Sequence, residues 1–286
     1  MTRDSCRGEV ENMPEREGQQ PTELHRHIST LANLEEAAEP VVSCYLDLET
    51  GYRETLNERV RSLESNLDRH LRVSFWEALG RIEVFVGTGI RPESRGAAVF
   101  SRGGERAFFL PLQFRVALPT RVTVSAVPHI YHLIELRQDR TDHFVRPSGT
   151  ETCRAEEDES LAMVETFHKE MRTSGLAVGG TLASFKNLKE GRAGALLLSR
   201  SYAPDPGWFC RACGAVQVGH QTPPECASCR GRVLRELNLK EEVVRIAEQQ
   251  NRPIRILEHS DGMKAIGGIG CLLVCPGTER FDRPAA

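Results

Sequence analysis

The sequence has no long hydrophobic run, and nowhere in its 286 residues does an apolar stretch approach the roughly 18 residues of a membrane-spanning helix. Its N-terminus is polar and lacks the apolar core of a secretory signal peptide. These absences predict a cytoplasmic protein that does not enter a membrane and whose cysteines stay reduced. With 40% hydrophobic and 27% charged residues, the composition is typical of a soluble globular chain, and the length fits about two domains.

The sequence also lacks a strong charge of one sign. The formal net charge is -3 at pH 7, so the chain as a whole does not attract nucleic-acid phosphates. Any contact with RNA must therefore come from a local basic surface.

Four of the nine cysteines form two Cys-x-x-Cys pairs, Cys210 with Cys213 and Cys226 with Cys229, separated by twelve residues. At this spacing four thiolates close a tetrahedral zinc site. Gly214 follows the first pair, where a small residue lets backbone N–H groups turn toward the sulfurs. Because four protein ligands leave no position for a bound water, the zinc is predicted to be structural. Two disulfides, or four ordinary buried thiols, are the alternatives.

Hydrophobic periodicity predicts α/β structure in the first half of the chain. Apolar residues alternate over 41–48, which indicates a strand. They recur at helical spacing over 56–71 and 75–86, which indicates two amphipathic helices. The other elements predicted here are a short helix at 23–34, a hairpin with a glycine turn at 96–110, a strand at 121–125 and a helix at 128–136 opened by Pro128.

The second half alternates helices and strands around the cysteine pairs. Asn238 is predicted to cap a helix, with Glu241 three residues later. Cys271 and Cys275 share a face of the last strand as buried thiols, and His168 is predicted to be a core histidine. The remaining predicted elements are helices at 161–171 and 182–188 and strands at 195–199, 254–257 and 269–275.

This order of elements predicts an α/β fold: an N-terminal α/β domain and a C-terminal three-layer α/β domain with an inserted four-cysteine zinc ribbon. The predicted divisions are a disordered tail at 1–30, the N-terminal domain at 31–118, a shortened middle segment or linker at 119–155, and the C-terminal domain at 156–277 with its ribbon at 207–235.

Several features of the second half together resemble one known family. They are a helix ending in Glu190-Gly-Arg-Ala-Gly194, the strand at 195–199, the two cysteine pairs, the helix at 241–250 and the segment 264–273. These residues resemble the third domain of archaeal and eukaryotic class I peptide-chain release factors and of their relative pelota. The stretches 43–48 and 89–100 look like the bacterial branch of that family. The resemblance implies an α/β sandwich of the ribosomal-protein type and a role at the ribosome on peptidyl-tRNA.

One motif of that family is missing. The resemblance implies a middle domain whose Gly-Gly-Gln loop brings water to the peptidyl-tRNA ester, and this sequence has no such tripeptide. Its nearest string, Gly103-Gly104-Glu105, has a carboxylate in place of the amide and lies in the predicted hairpin turn. A negative side chain suits neither the ester nor the RNA phosphates. Residues 119–155 are also too short for a complete middle domain.

The favoured functional hypothesis is a ribosome-associated, release-factor-like protein without hydrolytic activity. Its C-terminal domain would bind the ribosome, tRNA or a protein partner in translation. Within 207–235 the only acidic residue is Glu225, and a locally positive ribbon suits phosphates. A solvated basic face without a ligand is the alternative. The basic residues of the ribbon are Arg211, Arg230, Arg232 and Arg235.

Two other functions stay open. A peptidyl-tRNA or RNA hydrolase needs a general base, for which Glu105, His129 and His132 are the candidates. The two histidines can share a ligand if both lie on the predicted helix, although an ordinary partly exposed pair is the favoured interpretation. The third function is a scaffold whose ribbon binds a protein partner.

Overall fold

The computed structural model describes residues 23–138, 156–173, 175–258 and 261–274, with the backbone alone described for 156–162 and 261. Contacts divide the chain into two compact units: residues 27–154 form the N-terminal unit, and residues 155–286 with 1–26 form the C-terminal unit. Residues 1–22 of the predicted tail lie outside the described residues, and 23–30 belong to a helix. Among the helices described, none has the length and apolar character needed to cross a membrane.

The N-terminal unit contains helices and one antiparallel sheet. In chain order its described elements are α1 (Glu23–Ala32, assigned to this unit from residue 27), β1 (Val41–Asp47), α2 (Tyr52–Asn66), a 3-10 turn (Arg69–Leu71), α3 (Arg72–Thr88), β2 (Gly96–Arg102), β3 (Phe108–Phe114), β4 (Arg121–Ser125) and α4 (Tyr131–Gln138).

The sheet has the order β3-β2-β1-β4, and every neighbouring pair is antiparallel. One face of the central strand β1 carries the apolar residues Val42, Cys44 and Leu46, as the alternation predicts. These residues form a buried core with α2 and α3, which contribute Phe75 and Leu79 among others. The amphipathic helices therefore cover this face of the sheet.

The opposite face of β1 is buried as well. Ser43 and Tyr45 are 0% and 1% exposed because both bind the backbone of His129. The backbone N–H of His129 donates to the Ser43 Oγ at 3.0 Å, and the Tyr45 hydroxyl donates to the His129 carbonyl at 2.6 Å. On β2, the buried guanidinium of Arg102 donates to the Glu35 carbonyl at 2.8 Å. The polar positions of β1 thus have protein partners instead of water.

The first long helix is shorter than its periodicity predicts. α2 ends at Asn66, and Leu67 is extended with ψ 138°. The Ser65 hydroxyl and the Asn66 amide both donate to the Ser62 carbonyl, at 2.8 and 2.9 Å. Such side-chain bonds compete with the backbone bonds that would continue the helix.

Two other helix boundaries also differ from the predictions. α3 continues beyond the predicted end at residue 86 to Thr88, and Gly89 is its C-cap. α4 begins at Tyr131 and not at Pro128, because the Ile130 carbonyl accepts the first helical bonds, at 2.9 and 3.2 Å, from the N–H groups three and four residues later.

The predicted hairpin is present, with Gly96 of β2 opposite Phe114 of β3 and Arg102 opposite Phe108. β4 pairs with the other edge of β1. Residues 119–138, the described part of the segment predicted as a shortened middle segment or linker, contain β4 and α4 and belong to the N-terminal unit.

The C-terminal unit carries two sheets. Its described elements are α5 (Glu156–Thr173), β5 (Ala177–Gly179), α6 (Thr181–Lys189), β6 (Ala193–Ser199), β7 (Gly207–Cys210), β8 (Val216–Val218), β9 (Leu234–Leu237), α7 (Leu239–Gln249), β10 (Ile254–Leu257), α8 (Asp261–Ala265) and β11 (Ile269–Leu273).

The larger sheet has the order β10-β6-β11-β5, with β10 parallel to β6 and the other pairs antiparallel. On one face, Met163 and Phe167 of α5 and Met263 of α8 pack on Ala195 and Leu197 of β6. On the other face α6 and α7 cover the sheet. The predicted three-layer α/β architecture is confirmed, and the short elements β5 and α8 add to it.

The predicted cap of α7 is also present, since the Asn238 side chain accepts from the Glu241 N–H at 3.3 Å. Cys271 is a buried thiol, as expected, and lies 3.9 Å from the Ser184 carbonyl of α6. Burial raises its pKa to about 12. Cys275 lies outside the described residues.

Candidate metal centre and the basic rim of the ribbon

The four cysteines lie in the ribbon, a three-stranded sheet spanning residues 207–237 between β6 and α7. β7 is its central strand and pairs antiparallel with β8 and β9. Gly207 begins β7 against the start of α7, where a Cβ would lie 2.7 Å from the Leu239 Cγ. Glycine is required for this close approach, which connects the ribbon to the larger sheet's helices.

The two Cys-x-x-Cys pairs form turns with the same backbone geometry. The N–H of Cys210 donates to the carbonyl five residues later at 2.9 Å, and its carbonyl accepts from the Gly214 N–H at 2.9 Å. Cys226 makes the same two bonds. Its N–H donates to the carbonyl five residues later at 2.9 Å, and its carbonyl accepts from the Arg230 N–H at 2.8 Å. Gly214 and Arg230 both have positive φ, 73° and 58°. The second turn thus places an arginine in a conformation that favours glycine.

The four sulfurs form a single cluster, with all the Sγ atoms within 4.8 Å of one another. The Sγ atoms of Cys210 and Cys229 are 3.6 Å apart, as are those of Cys213 and Cys226. A tetrahedron with Zn–S bonds of about 2.3 Å requires S–S distances of about 3.8 Å. The arrangement therefore fits a four-coordinate ion, and all four residues are free thiols and not disulfides.

The surroundings of the Cys226 sulfur favour a thiolate, whereas at Cys229 the Gly231 N–H, which lowers the pKa, is outweighed by the Cys213 and Cys210 thiols, and the pKa of that thiol is raised to about 12. Backbone N–H groups of Cys229 and Ser228 donate to the Cys226 sulfur and lower the pKa of that thiol to about 6; the Ser228 nitrogen is 3.4 Å away. Cys210 and Cys226 are buried, whereas Cys213 and Cys229 are exposed. Four soft sulfur ligands suit zinc and leave no open coordination position, so a bound ion would act as a structural crosslink.

Phe209 joins the ribbon to α6. Its ring centroid lies 5.5 Å from the Lys189 Nζ and 5.4 Å from the guanidinium of Arg235. Lys189 also donates to the Gly214 carbonyl at 3.0 Å. A cation over an aromatic face is attracted by the ring's quadrupole. Arg235 is therefore half-buried against Phe209, whereas the other predicted basic residues of the ribbon are exposed.

Arg211, Arg230 and Arg232 are exposed, and we call these three residues the rim. Arg211 follows Cys210, and Arg230 follows Cys229. Because the sulfurs of those two cysteines are 3.6 Å apart, the two turns bring arginines distant in sequence to the same end of the ribbon. The sulfur cluster thereby brings together the two turns that carry the rim residues.

The metal centre itself also contributes charge. A divalent ion with four thiolates has a net charge of -2, which offsets part of the charge of the four arginines in 207–235. The positive charge that remains is thus carried by the exposed rim side chains. The positive charge of the ribbon is therefore local and not a broad basic face.

The residues proposed for hydrolysis do not form one site. Glu105 is exposed in the turn after Arg102, which pairs with Val41 at one end of β1. His132 packs on Tyr45, four residues along that strand, with ring centroids 5.3 Å apart. Four residues of strand span about 13 Å. His129 precedes α4 and is not part of that helix.

His132 has partners that the sequence analysis missed. Its Nδ1 lies 2.8 Å from the Glu135 Oε2, and its Nε2 lies 3.5 Å from the Arg121 Nη1. A carboxylate on one ring nitrogen orients the imidazole, as in many general bases. Here, however, a permanently charged guanidinium faces the other nitrogen, where a base would take up its proton. The spacing of three residues between His132 and Glu135 was the available signal.

His168 borders a groove and is not a core residue, contrary to the prediction. Its ring packs edge-on against Phe167, with centroids 5.6 Å apart, but it is only half-buried. The groove has a volume of about 610 Å³ and is lined by Glu165, His168, Lys169, Arg172, Thr173 and Gly262.

No protein-family model matches the chain, and no curated protein matches it. Two solved structures similar to it are release factors. The C-terminal domain of the peptide chain release factor from Methanosarcina mazei is 23% identical over 41% of this chain and 81% of its own, with a TM-score of 0.33. The archaeal translation termination factor aRF1 is 11% identical over 89% of this chain and 98% of its own, with a TM-score of 0.35. At such low TM-scores, any function has to be argued from residues of this chain.

The sulfur cluster predicts that the purified protein contains about one zinc ion per chain. Cys210→Ser removes one thiolate, so zinc is expected to dissociate and the ribbon to unfold. Metal content by mass spectrometry and protection of ribbon amides from hydrogen exchange measure the two effects. Cys44→Ala, in the buried core of the N-terminal unit, is the control and should keep its zinc. A wild-type protein that is metal-free and has a protected ribbon would contradict the prediction.

The positive φ of Arg230 predicts that Arg230→Gly stabilises the metal-bound ribbon by about 1 kcal/mol, because glycine adopts that conformation without strain. A higher chelator concentration should then be needed to remove the zinc. Arg211→Gly removes the same charge at a residue without positive φ and should not stabilise the ribbon. Equal chelator resistance in the two variants would show that charge, and not backbone conformation, controls metal retention.

Proposed function

We propose that this protein is a release-factor-like component of translation in the cytoplasm. It binds the ribosome or tRNA through the rim of its zinc-containing ribbon and does not hydrolyse peptidyl-tRNA. The resemblance of residues 155–275 to the third domain of class I release factors supports the place of action. The geometry of the metal centre supports the mode of binding.

The observation that carries the proposal is the convergence of rim arginines on the two cysteine turns. Arg211 comes from the first turn, and Arg230 and Arg232 come from the second. Arginine presents several N–H donors in a fixed plane, which matches phosphate oxygens. Residues anchored beside metal ligands lose little conformational freedom on binding, so they suit a rigid phosphate backbone.

Hydrolysis is not part of the proposal for two reasons. The sequence has no Gly-Gly-Gln tripeptide, and among the described residues Glu105 and His132 lie toward opposite ends of β1. The described geometry therefore does not favour the peptidyl-tRNA or RNA hydrolase.

A protein partner is the second candidate, and an apolar feature of the ribbon favours it. Val233 is 61% exposed and Val218 is 38% exposed, and Val233 follows the rim residue Arg232. Exposed apolar side chains beside arginines are common at protein interfaces. Capture of a partner that survives nuclease treatment and is abolished in Val233→Asn, but not in Arg232→Gln, would favour this function over RNA binding.

The rim predicts salt-sensitive binding to ribosomes. Replacing Arg211, Arg230 and Arg232 together with glutamine should weaken co-sedimentation at low salt. It should also lower the slope of log affinity against log salt by about one for each phosphate that the rim no longer neutralises. Three exposed arginines of α2, Arg53, Arg59 and Arg61, provide a control that removes equal charge. Zinc content has to be measured for every variant, because loss of the ion would remove the rim indirectly.

Absence of ribosome association by the wild type at every salt concentration would rule out the proposal. Equal weakening by the rim and α2 variants would assign the attraction to overall charge. Wild-type binding by the rim variant would place the interaction on another surface.

The proposal also predicts that purified protein releases no peptide from peptidyl-tRNA, either free or on ribosomes. The measurement is the release of labelled peptide, with an authentic release factor as the positive control. Release by this protein that Glu105→Ala abolishes would establish the hydrolase instead. Release unchanged by Glu105→Ala but abolished by His132→Ala would place a base on α4.

A further inference from the structure

The outward face of α3 carries an unusual amount of exposed apolar surface. Val73, Trp76 and Val84 are 69%, 44% and 67% exposed. Together with Gly80 and Gly87 they lie within about 40° of a single line along the helix. The opposite face of α3 is buried in the core of the N-terminal unit through Phe75, Ala78, Leu79 and Ile82.

Among the described residues, no contact explains the two glycines on this outward line. Glycine in a helix interior is destabilising relative to alanine. A Cβ added at Gly80 or Gly87 would meet no atom within 4 Å, so the fold has room for a larger side chain at both positions. Small residues at such positions let a second helix approach closely.

We propose that α3 binds α3 of a second copy of this chain as an antiparallel pair, related by a two-fold axis at Gly80. In such a pair, residues equally distant from Gly80 face each other across the axis. Val73 then faces Gly87, and Trp76 faces Val84, so that a large residue meets a small one at the ends. Gly80 meets Gly80 where the helices are closest. The surface is self-complementary, as a two-fold interface requires.

The charges beside the apolar line fit the same arrangement. Arg72 and Glu83 lie on one edge of the line, and Glu77 and Arg81 lie on the other. Under the two-fold axis each edge meets the same edge of the second copy. Glu77 then lies about 3 Å along the axis from the second copy's Arg81, and Glu83 about 7.5 Å from its Arg72, within reach of a long side chain. A parallel pair would also bring opposite charges together, so the antiparallel orientation rests on the matching of large and small residues along the apolar line.

Side-chain contacts within the chain hold several of these groups in place. Trp76 donates from its indole N–H to a Glu64 carboxylate oxygen at 3.1 Å. Glu77 accepts from the Gly104 N–H at 2.7 Å, and Arg81 donates to the Arg102 carbonyl at 3.1 Å. Side chains that are already ordered lose less conformational entropy on association.

The size of the surface sets the expected strength. α3 has 17 residues and is about 25 Å long. A single helix pair of this length buries less than the roughly 1,200 Å² of a standard interface. The dimer is therefore expected to be weak, with a dissociation constant on the order of micromolar or higher.

The test is analytical ultracentrifugation of the full chain over a wide concentration range. The wild type should approach a dimer as concentration rises. Gly80→Leu fills the point of closest approach without meeting atoms of its own chain, so it should keep the monomer folded and weaken self-association at least about tenfold. Arg72→Glu and Glu83→Arg should each weaken the dimer, and the double variant should restore it, because both pairs are then reversed.

A wild type that stays monomeric at every concentration would overturn the proposal. So would a dimer that Gly80→Leu leaves unchanged, or charge-reversed single variants that the double variant does not rescue. A crosslink between two copies of Gly80→Cys, without a crosslink from Arg53→Cys on exposed α2, would support pairing of the two copies through α3. Loss of a heterologous partner in Gly80→Leu, with no wild-type dimer, would assign the surface to another protein instead.

Discussion

The ribbon depends on keeping four sulfurs within 4.8 Å of one another. Its strands have only four, three and four residues, and such short strands are not stable without further support. Metal–thiolate bonds can supply the missing folding free energy. The two cysteine turns are suited to binding one ion between them, because both have the same pair of backbone hydrogen bonds and a residue with positive φ.

Interactions outside the sulfur cluster attach the ribbon to the rest of the C-terminal unit. Lys189 of α6 bonds the first cysteine turn and lies over Phe209. Gly207 brings β7 close to the start of α7. A metal ion held by the four sulfurs would crosslink the two turns that carry the rim, whereas contacts with α6 and α7 attach the ribbon to the unit.

Sequence patterns predicted most of the fold because burial and capping leave periodic signals. The cysteine spacing predicted the sulfur cluster, and Asn238 predicted the start of α7. The buried polar face of β1 could not be predicted, because the partner of Ser43 is 86 residues away along the chain. The start of α4 was displaced for the same reason, since bonds from β1 hold His129 just before the helix.

The metal centre was more predictable than the surface around it. Ligand spacing is local in sequence, whereas the grouping of Arg211 with Arg230 depends on how the two turns meet. The surroundings of His132 divide in the same way. Its contact with Glu135 is local on α4 and could be predicted, whereas Arg121 comes from β4 and could not. Positive φ at Arg230 has no local signal, because arginine rarely adopts it.

The ribbon lies within the connection between two neighbouring parallel strands, β6 and β10. Such a connection needs only about a dozen residues, usually as a helix, and α7 with its 11 residues nearly suffices. The ribbon is thus an addition to a crossover that is already complete, entering after β6 and leaving before α7. Evolution can therefore enlarge, reshape or delete the metal centre while the order of strands beneath it stays the same.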